Sequence, residues 1–154
     1  YLHRGVLNTA KGEIIENIRK DIDQFSNYTS RPIECFAYPG GDVDNAAIEV
    51  LSKFESIRFA RTIPVPDYIF APPQSPYICT PTAHMFDPNM EQIISEFEAA
   101  PNDGIQILHL FGHSYEIVWQ QTDGWQRIEK LFQRLAVLDA EFLCNADAYN
   151  AVFN

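Results

Sequence analysis

Short apolar runs alternate with stretches of helical periodicity along the whole chain, and no other feature narrows the fold as far. Ile14, Ile15, Ile18, Ile22 and Phe25 recur at the spacing of a helix that buries one face, with charges between them. Thr9 is the expected N-cap, and the segment 28–32 ends the helix. The run IECFAY (33–38) then reads as a strand that stops at the turn PGG (39–41). Asp44 is the expected cap of a second helix that turns Ala47, Val50, Leu51 and Phe54 inward. SIRFART (56–62) follows as a strand, alternating Ile57, Phe59 and Arg61 against Arg58 and Ala60. From 64 to 88 the chain is dense in proline and reads as a long loop, with at most a short strand at 77–79. A helix is predicted from Asp87 and Pro88 onward, faced by Met90, Ile93, Ile94 and Phe97 and ended before Pro101. The turn NDG (102–104) leads into a strand at 105–111. Trp125, Ile128, Leu131, Phe132 and Leu135 mark a further helix, EFLCN (141–145) a last strand and 146–153 a terminal helix. Repeated strand-then-helix units imply an α/β fold, a parallel sheet with helices outside it. In such folds ligands bind at the carboxyl ends of the strands.

The 154 residues suffice for one domain with a proper core. A hydrophobic content of 46% with 21% charged residues is that of a soluble globular protein. The formal net charge of −10 argues against a nucleic-acid backbone as partner and equally against an anionic membrane surface. Its main consequence is solubility. No stretch reaches the length of a transmembrane helix. Cys35, Cys79 and Cys144 stand far apart with no C-x-x-C pattern, so neither a disulfide framework nor a cysteine zinc site is expected. Three buried thiols are the expectation, which fits a reducing, cytoplasmic compartment mildly.

Three strand ends carry polar residues: AYPGG (37–41), GHSYE (112–116) and NADAY (145–149). The first offers exposed backbone N–H groups and the second an imidazole and a carboxylate, which together suit an oxyanion donor and a general acid. The PGG turn has a plainer reading as a strand-to-helix connection, since these residues dominate turns anyway. His109 and His113 share a face on a helix or a strand alike, and one of them reads as a core histidine bonded to a backbone carbonyl. Tyr115 and Trp119 read as core residues or as a wall that stacks on sugar rings. The metalloprotease pattern H-E-x-x-H is excluded, because Leu110 follows His109 and Gly112 disfavours a helix across both histidines.

Three segments resemble the NodB-type polysaccharide deacetylases, the carbohydrate esterase family 4 group. FAYPGG (36–41) resembles the family's F-x-Y-P-x-G motif. DGIQILHLFGHSYEI (103–117) resembles the late histidine strand of a subgroup reading roughly L-H-x-[FW]-G-H-S-[WY]-E. LHRGVLNTAKGEIIENIRKDI (2–22) resembles the stretch that runs from the second histidine of H-[ST]-x-x-H into the next helix. The resemblance covers the later part of the family's domain. It implies a distorted, incomplete (β/α) barrel whose N-terminal strands are missing, with residues 1–154 a fragment of one deacetylase-like domain. It also implies a divalent metal, zinc foremost, and hydrolysis of acetyl groups from saccharides.

Carried over by position, the resemblance makes His3 a metal ligand and the Gly40 backbone N–H an oxyanion donor. His113 becomes the acid that protonates the leaving amine, with His109 second in line. Tyr38, Tyr115 and Glu116 are expected to line the groove of an acetylated saccharide. The family's T-F-D-D-like motif and the first histidine of H-[ST]-x-x-H are absent from the chain. Ala37 stands where the family often has an arginine, for which Arg61 on the next strand is a substitute. His84, in TPTAH (80–84), has no counterpart and reads as a loop histidine. The alternative to an enzyme is a non-catalytic carbohydrate-binding or interaction domain on the same scaffold, which the missing ligands favour. Exposed strand edges of an incomplete barrel lead one to expect self-association.

Overall fold

The computed structural model describes residues 5–7, 9–101, 103–119 and 123–153. In chain order its elements are α1 (Lys11–Phe25), β1 (Cys35–Ala37), α2 (Asn45–Leu51), β2 (Phe59–Arg61), β3 (Ala83–His84), α3 (Met90–Glu98), β4 (Leu110–Phe111), α4 (Ser114–Trp119), α5 (Gly124–Leu135) and α6 (Asn145–Phe153). They fall into two units. The first takes the chain up to 63, then 73–80, and 143 onward; the second takes 64–72 and 81–142.

In the first unit β1 and β2 pair in parallel, with Cys35 opposite Phe59, Phe36 opposite Ala60 and Ala37 opposite Arg61. A parallel bridge from Arg61 to Cys79 extends the pairing, so the short strand expected at 77–79 is present as a single bridge. The inward faces predicted for α1 and α2 are those that are buried. Ile14, Ile18, Ala47, Val50 and Leu51 join Val6, Tyr38, Ile57 and Ala60 in one apolar cluster. Asp44 caps α2 as expected, its Oδ1 accepting the Ala47 N–H at 2.7 Å. That bond satisfies one of the donors a helix N-terminus leaves without an intrahelical partner. Asp44→Ala is therefore expected to lower stability by about 1 kcal/mol, read from denaturant midpoints.

Several expectations are corrected. Thr9 does not cap α1: its hydroxyl donates back to the Gly5 carbonyl at 3.0 Å, and Ala10 takes the cap position with extended backbone. The strand at 56–62 buries Phe59 and Ala60 together, on both faces, so the simple alternation fails. Residues 141–145 form no strand; Phe142 is 63% exposed and helix α6 starts at Asn145. The cysteines differ from one another: Cys79 is buried, Cys35 is half-buried and Cys144 is exposed, and all three are free thiols. Burial pushes the Cys35 and Cys79 thiols up to about 11, which makes both poor nucleophiles at neutral pH.

In the second unit β3 and β4 pair in parallel, Ala83 opposite Leu110 and His84 opposite Phe111. Strand β3 lies in the stretch expected to be loop. The strand expected at 105–111 is reduced to β4, although Ile107 N–H still donates to the Phe70 carbonyl at 2.7 Å. Thr82 is buried and ties three segments together. Its hydroxyl lies 3.0 Å from the Ile69 carbonyl and 3.2 Å from that of Ile107, and it accepts the His109 N–H at 3.1 Å. Ile93 and Ile94 of α3 and Ile128 and Leu131 of α5 are buried as predicted, whereas Trp125 and Phe132 are exposed. Among the described residues no helix is long and apolar enough to cross a membrane.

Candidate functional site

In the second unit the chemistry gathers at the carboxyl ends of the parallel pair. His84 is the last residue of β3, and His113 follows β4 by two residues. Gly112 leaves room there for Met85, whose sulfur a Cβ at that position would overlap. Helix α4 begins at Ser114, immediately after His113. Glu116, in the first turn of α4, reaches back so that its Oε2 accepts the His113 N–H at 2.7 Å. A glutamate at this helical position commonly satisfies the N–H of the residue before the helix. Gly112 precedes this helix, so no helix spans both His109 and His113, as the sequence leads one to expect.

The same Glu116 oxygen lies 2.9 Å from His84 Nε2. His113 Nδ1 lies 3.3 Å from it, and that nitrogen is buried without a hydrogen-bond partner. His84 Nδ1 in turn accepts the Phe86 N–H at 3.2 Å. Burial raises the Glu116 carboxyl, but the hydrogen bonds from His113 N–H and His84 outweigh it and leave it below its ordinary value. A depressed carboxyl stabilises the fold above its unfolded pKa, and that contribution disappears as pH falls through the folded value. Glu116→Ala is thus expected to cost roughly 1.5–3 kcal/mol at neutral pH, the worth of hydrogen bonds to a charged group. The gap between the two proteins should narrow as pH falls through the depressed value of the wild-type carboxyl, on the acid side of the ordinary carboxylate range. Urea midpoints at neutral and acid pH check this; a gap independent of pH would contradict it.

A run of rings leads outward from this cluster. His113 stacks on Tyr115 with centroids 5.0 Å apart, and Tyr115 meets Trp119 at 4.6 Å. Tyr115 and Trp119 are 47% and 73% exposed, so neither is a core residue. His109 is buried, and its carbonyl accepts the N–H groups of Thr82 at 2.8 Å and Ala83 at 3.3 Å.

The first unit holds the other expected residues. After β1 the turn Pro39–Gly41 carries Gly40 at φ 73° and Gly41 at φ 81°. Gly40 is exposed, and a Cβ on it would meet nothing within 4 Å. Tyr38 is buried, and its hydroxyl donates to the Tyr77 carbonyl at 3.1 Å. Arg61 stands directly opposite Ala37 in the strand register. Paired residues of parallel strands project to the same face, so this is where a side chain could replace one missing at 37. Burial lowers the Arg61 pKa, against a smaller opposing influence of Tyr149.

His84, His113, Glu116 and Tyr115 are thus brought together, while Gly40, Tyr38 and Arg61 lie in the first unit and are described there by themselves. His3, the expected metal ligand, lies outside the described residues. The sequence marks His113 and Glu116 for chemistry, whereas His84 reads there as a loop histidine. A two-residue strand has no periodicity to reveal it, and nothing else in the sequence around His84 marks it.

His84, His113 and Glu116 are the one group of three metal-capable side chains found among the described residues, their donor atoms within 4.8 Å of one another. They fit a bound ion poorly. A histidine that ligates through one nitrogen carries its proton on the other and normally donates it. His84 Nδ1 accepts a hydrogen bond instead. No protein-family model, no curated protein and no solved structure matches the chain.

Proposed function

We propose that the chain belongs to a hydrolase that removes acetyl groups from saccharides, of the polysaccharide deacetylase type, on an incomplete (β/α) barrel. The observation that carries this reading is His113 beside the Glu116 carboxylate, past the carboxyl end of a parallel strand. Amide cleavage needs such a group, because the departing sugar nitrogen leaves poorly as an anion and must be protonated. A carboxylate beside one imidazole nitrogen orients the ring and favours the proton on that nitrogen, freeing the other to exchange with a ligand. In this reading His113 is the acid and Glu116 its positioning carboxylate. Tyr115 and Trp119 supply the faces on which a sugar ring stacks. The divalent cation that the resemblance implies, zinc foremost, would polarise the acetyl carbonyl when bound; its expected ligand His3 lies outside the described residues. No step here runs through it.

The test is acetate release from acetylated glucosamine oligomers by the full-length protein, compared with its His113→Ala variant. A second reading, a carbohydrate-binding domain without catalysis, is favoured by the exposed Tyr115 and Trp119 pair. Quenching of tryptophan fluorescence by the oligomers with no acetate released would select it.

A further inference from the structure

The donor atoms of His84, His113 and Glu116 lie within 4.8 Å of one another, close enough to surround a divalent ion. Their hydrogen bonds point elsewhere. For His84 to ligate through Nε2, its Nδ1 would have to carry the ring proton. That proton would face the Phe86 N–H, which already donates to Nδ1 at 3.2 Å. Two donors would then oppose each other with no acceptor between them. His84 instead has a consistent arrangement as a neutral ring: Phe86 N–H into Nδ1, and Nε2–H out to Glu116 Oε2 at 2.9 Å. The edge of its ring also rests against Phe111, its partner in the strand register, with centroids 5.0 Å apart. With His84 committed in this way, the cluster offers an ion one histidine and one carboxylate. Zinc sites ordinarily draw at least three ligands from the protein.

The Glu116 oxygen is committed as well. Two N–H donors, from His113 backbone and His84 ring, meet Oε2 at 2.7 and 2.9 Å. They come from different segments, so the carboxylate is held from two sides next to His113 Nδ1 at 3.3 Å. Its negative charge there favours the His113 tautomer with a proton on Nδ1. The buried nitrogen is then turned toward a charge instead of being left as a lone pair against a carboxylate.

We infer that His84 is a positioning residue: as the Nε2–H tautomer it ties Glu116 in place beside His113, and the three side chains form a proton-holding cluster that takes no divalent cation. The purpose this serves rests on the acid–base reading of His113, whereas the tautomer and the refusal of an ion do not.

The experiment is long-range proton–nitrogen correlation spectroscopy on the full-length protein labelled with nitrogen-15 histidine, with and without equimolar Zn²⁺. The expected result is His84 as the Nε2–H form, with the His84 and His113 signals unmoved by zinc. His84→Ala should shift both ring-nitrogen signals of His113. His84→Gln, whose side-chain amide can still donate to Glu116, should return them toward the wild-type positions. His84 found as the Nδ1–H form would overturn the proposal, as would joint displacement of the His84 and His113 signals by zinc. Unchanged His113 signals in His84→Ala would remove its positioning role. The tautomer is read on the unmodified protein, so the outcome does not hang on whether a variant folds. Absence of acetate release together with the expected spectra overturns the deacetylase reading and leaves the cluster standing.

Discussion

Replacing His113 with alanine is expected to lower acetate release from acetylated glucosamine oligomers by about a hundredfold or more, the usual contribution of a positioned general acid. A hundredfold loss corresponds to about 2.7 kcal/mol of transition-state stabilisation. The loss should fall on kcat and leave KM nearly unchanged, because proton donation to the leaving nitrogen matters in the transition state and not in ground-state binding. The variant keeps the backbone N–H that donates to Glu116 at 2.7 Å, so the start of α4 retains its support and the fold should be little affected. Circular dichroism and a denaturant midpoint near wild type would separate chemistry from unfolding. An unchanged rate would assign the acid elsewhere, and His109 would be the next residue to substitute.

Gly41→Ala is expected to destabilise the first unit by roughly 2–4 kcal/mol, the sum of a left-handed backbone cost and overpacking. Gly41 is buried with φ at 81°, a conformation that side-chain-bearing residues adopt at a cost. An added Cβ would lie 2.3 Å from Ile63 Cγ2 and 2.9 Å from Ile63 Cβ. Relief is hard to find, because Ile63 is branched at Cβ and cannot swing its near atoms away without moving its backbone. The neighbouring Gly40 has a similar φ of 73° but open space around it, so Gly40→Ala should cost only the backbone part. Paired urea denaturation of the two variants measures the difference. Equal losses would mean that Ile63 yields freely and that the contact at Gly41 carries no energy.

Helices α1, α2, α3 and α5 are legible in the sequence because their apolar spacing repeats; the six-residue α4 is too short to show one. Ile14 with Ile18, Ala47 with Val50 and Leu51, and Ile93 with Ile94 all lie on the buried faces that their positions predicted. Asp44 was legible as a cap because an N-cap bond is local, spanning only to Ala47. Trp125 and Phe132 also fit the helical spacing of α5, yet both are exposed. Spacing defines a face, but only the neighbours decide how wide a part of it is covered. EFLCN forms no strand for a related reason: strand-forming residues make a strand only where another backbone pairs with them.

Gly112, His113 and Glu116 show both sides within one short stretch. The order of residues alone shows an imidazole and a carboxylate close together after an apolar run, a glycine just before them, and a pair of glycines shortly after Tyr38. That His84 joins them emerges only in the folded chain. That depends on the parallel pairing of β3 with β4, which brings together residues distant in the chain through strands too short to leave a pattern. Parallel pairing is non-local, and its hydrogen bonds are made by backbone groups that every sequence shares. The choice of partner therefore rests on packing and on buried side chains such as Thr82, whose bonds to Ile69, Ile107 and His109 cannot be foreseen until those segments meet.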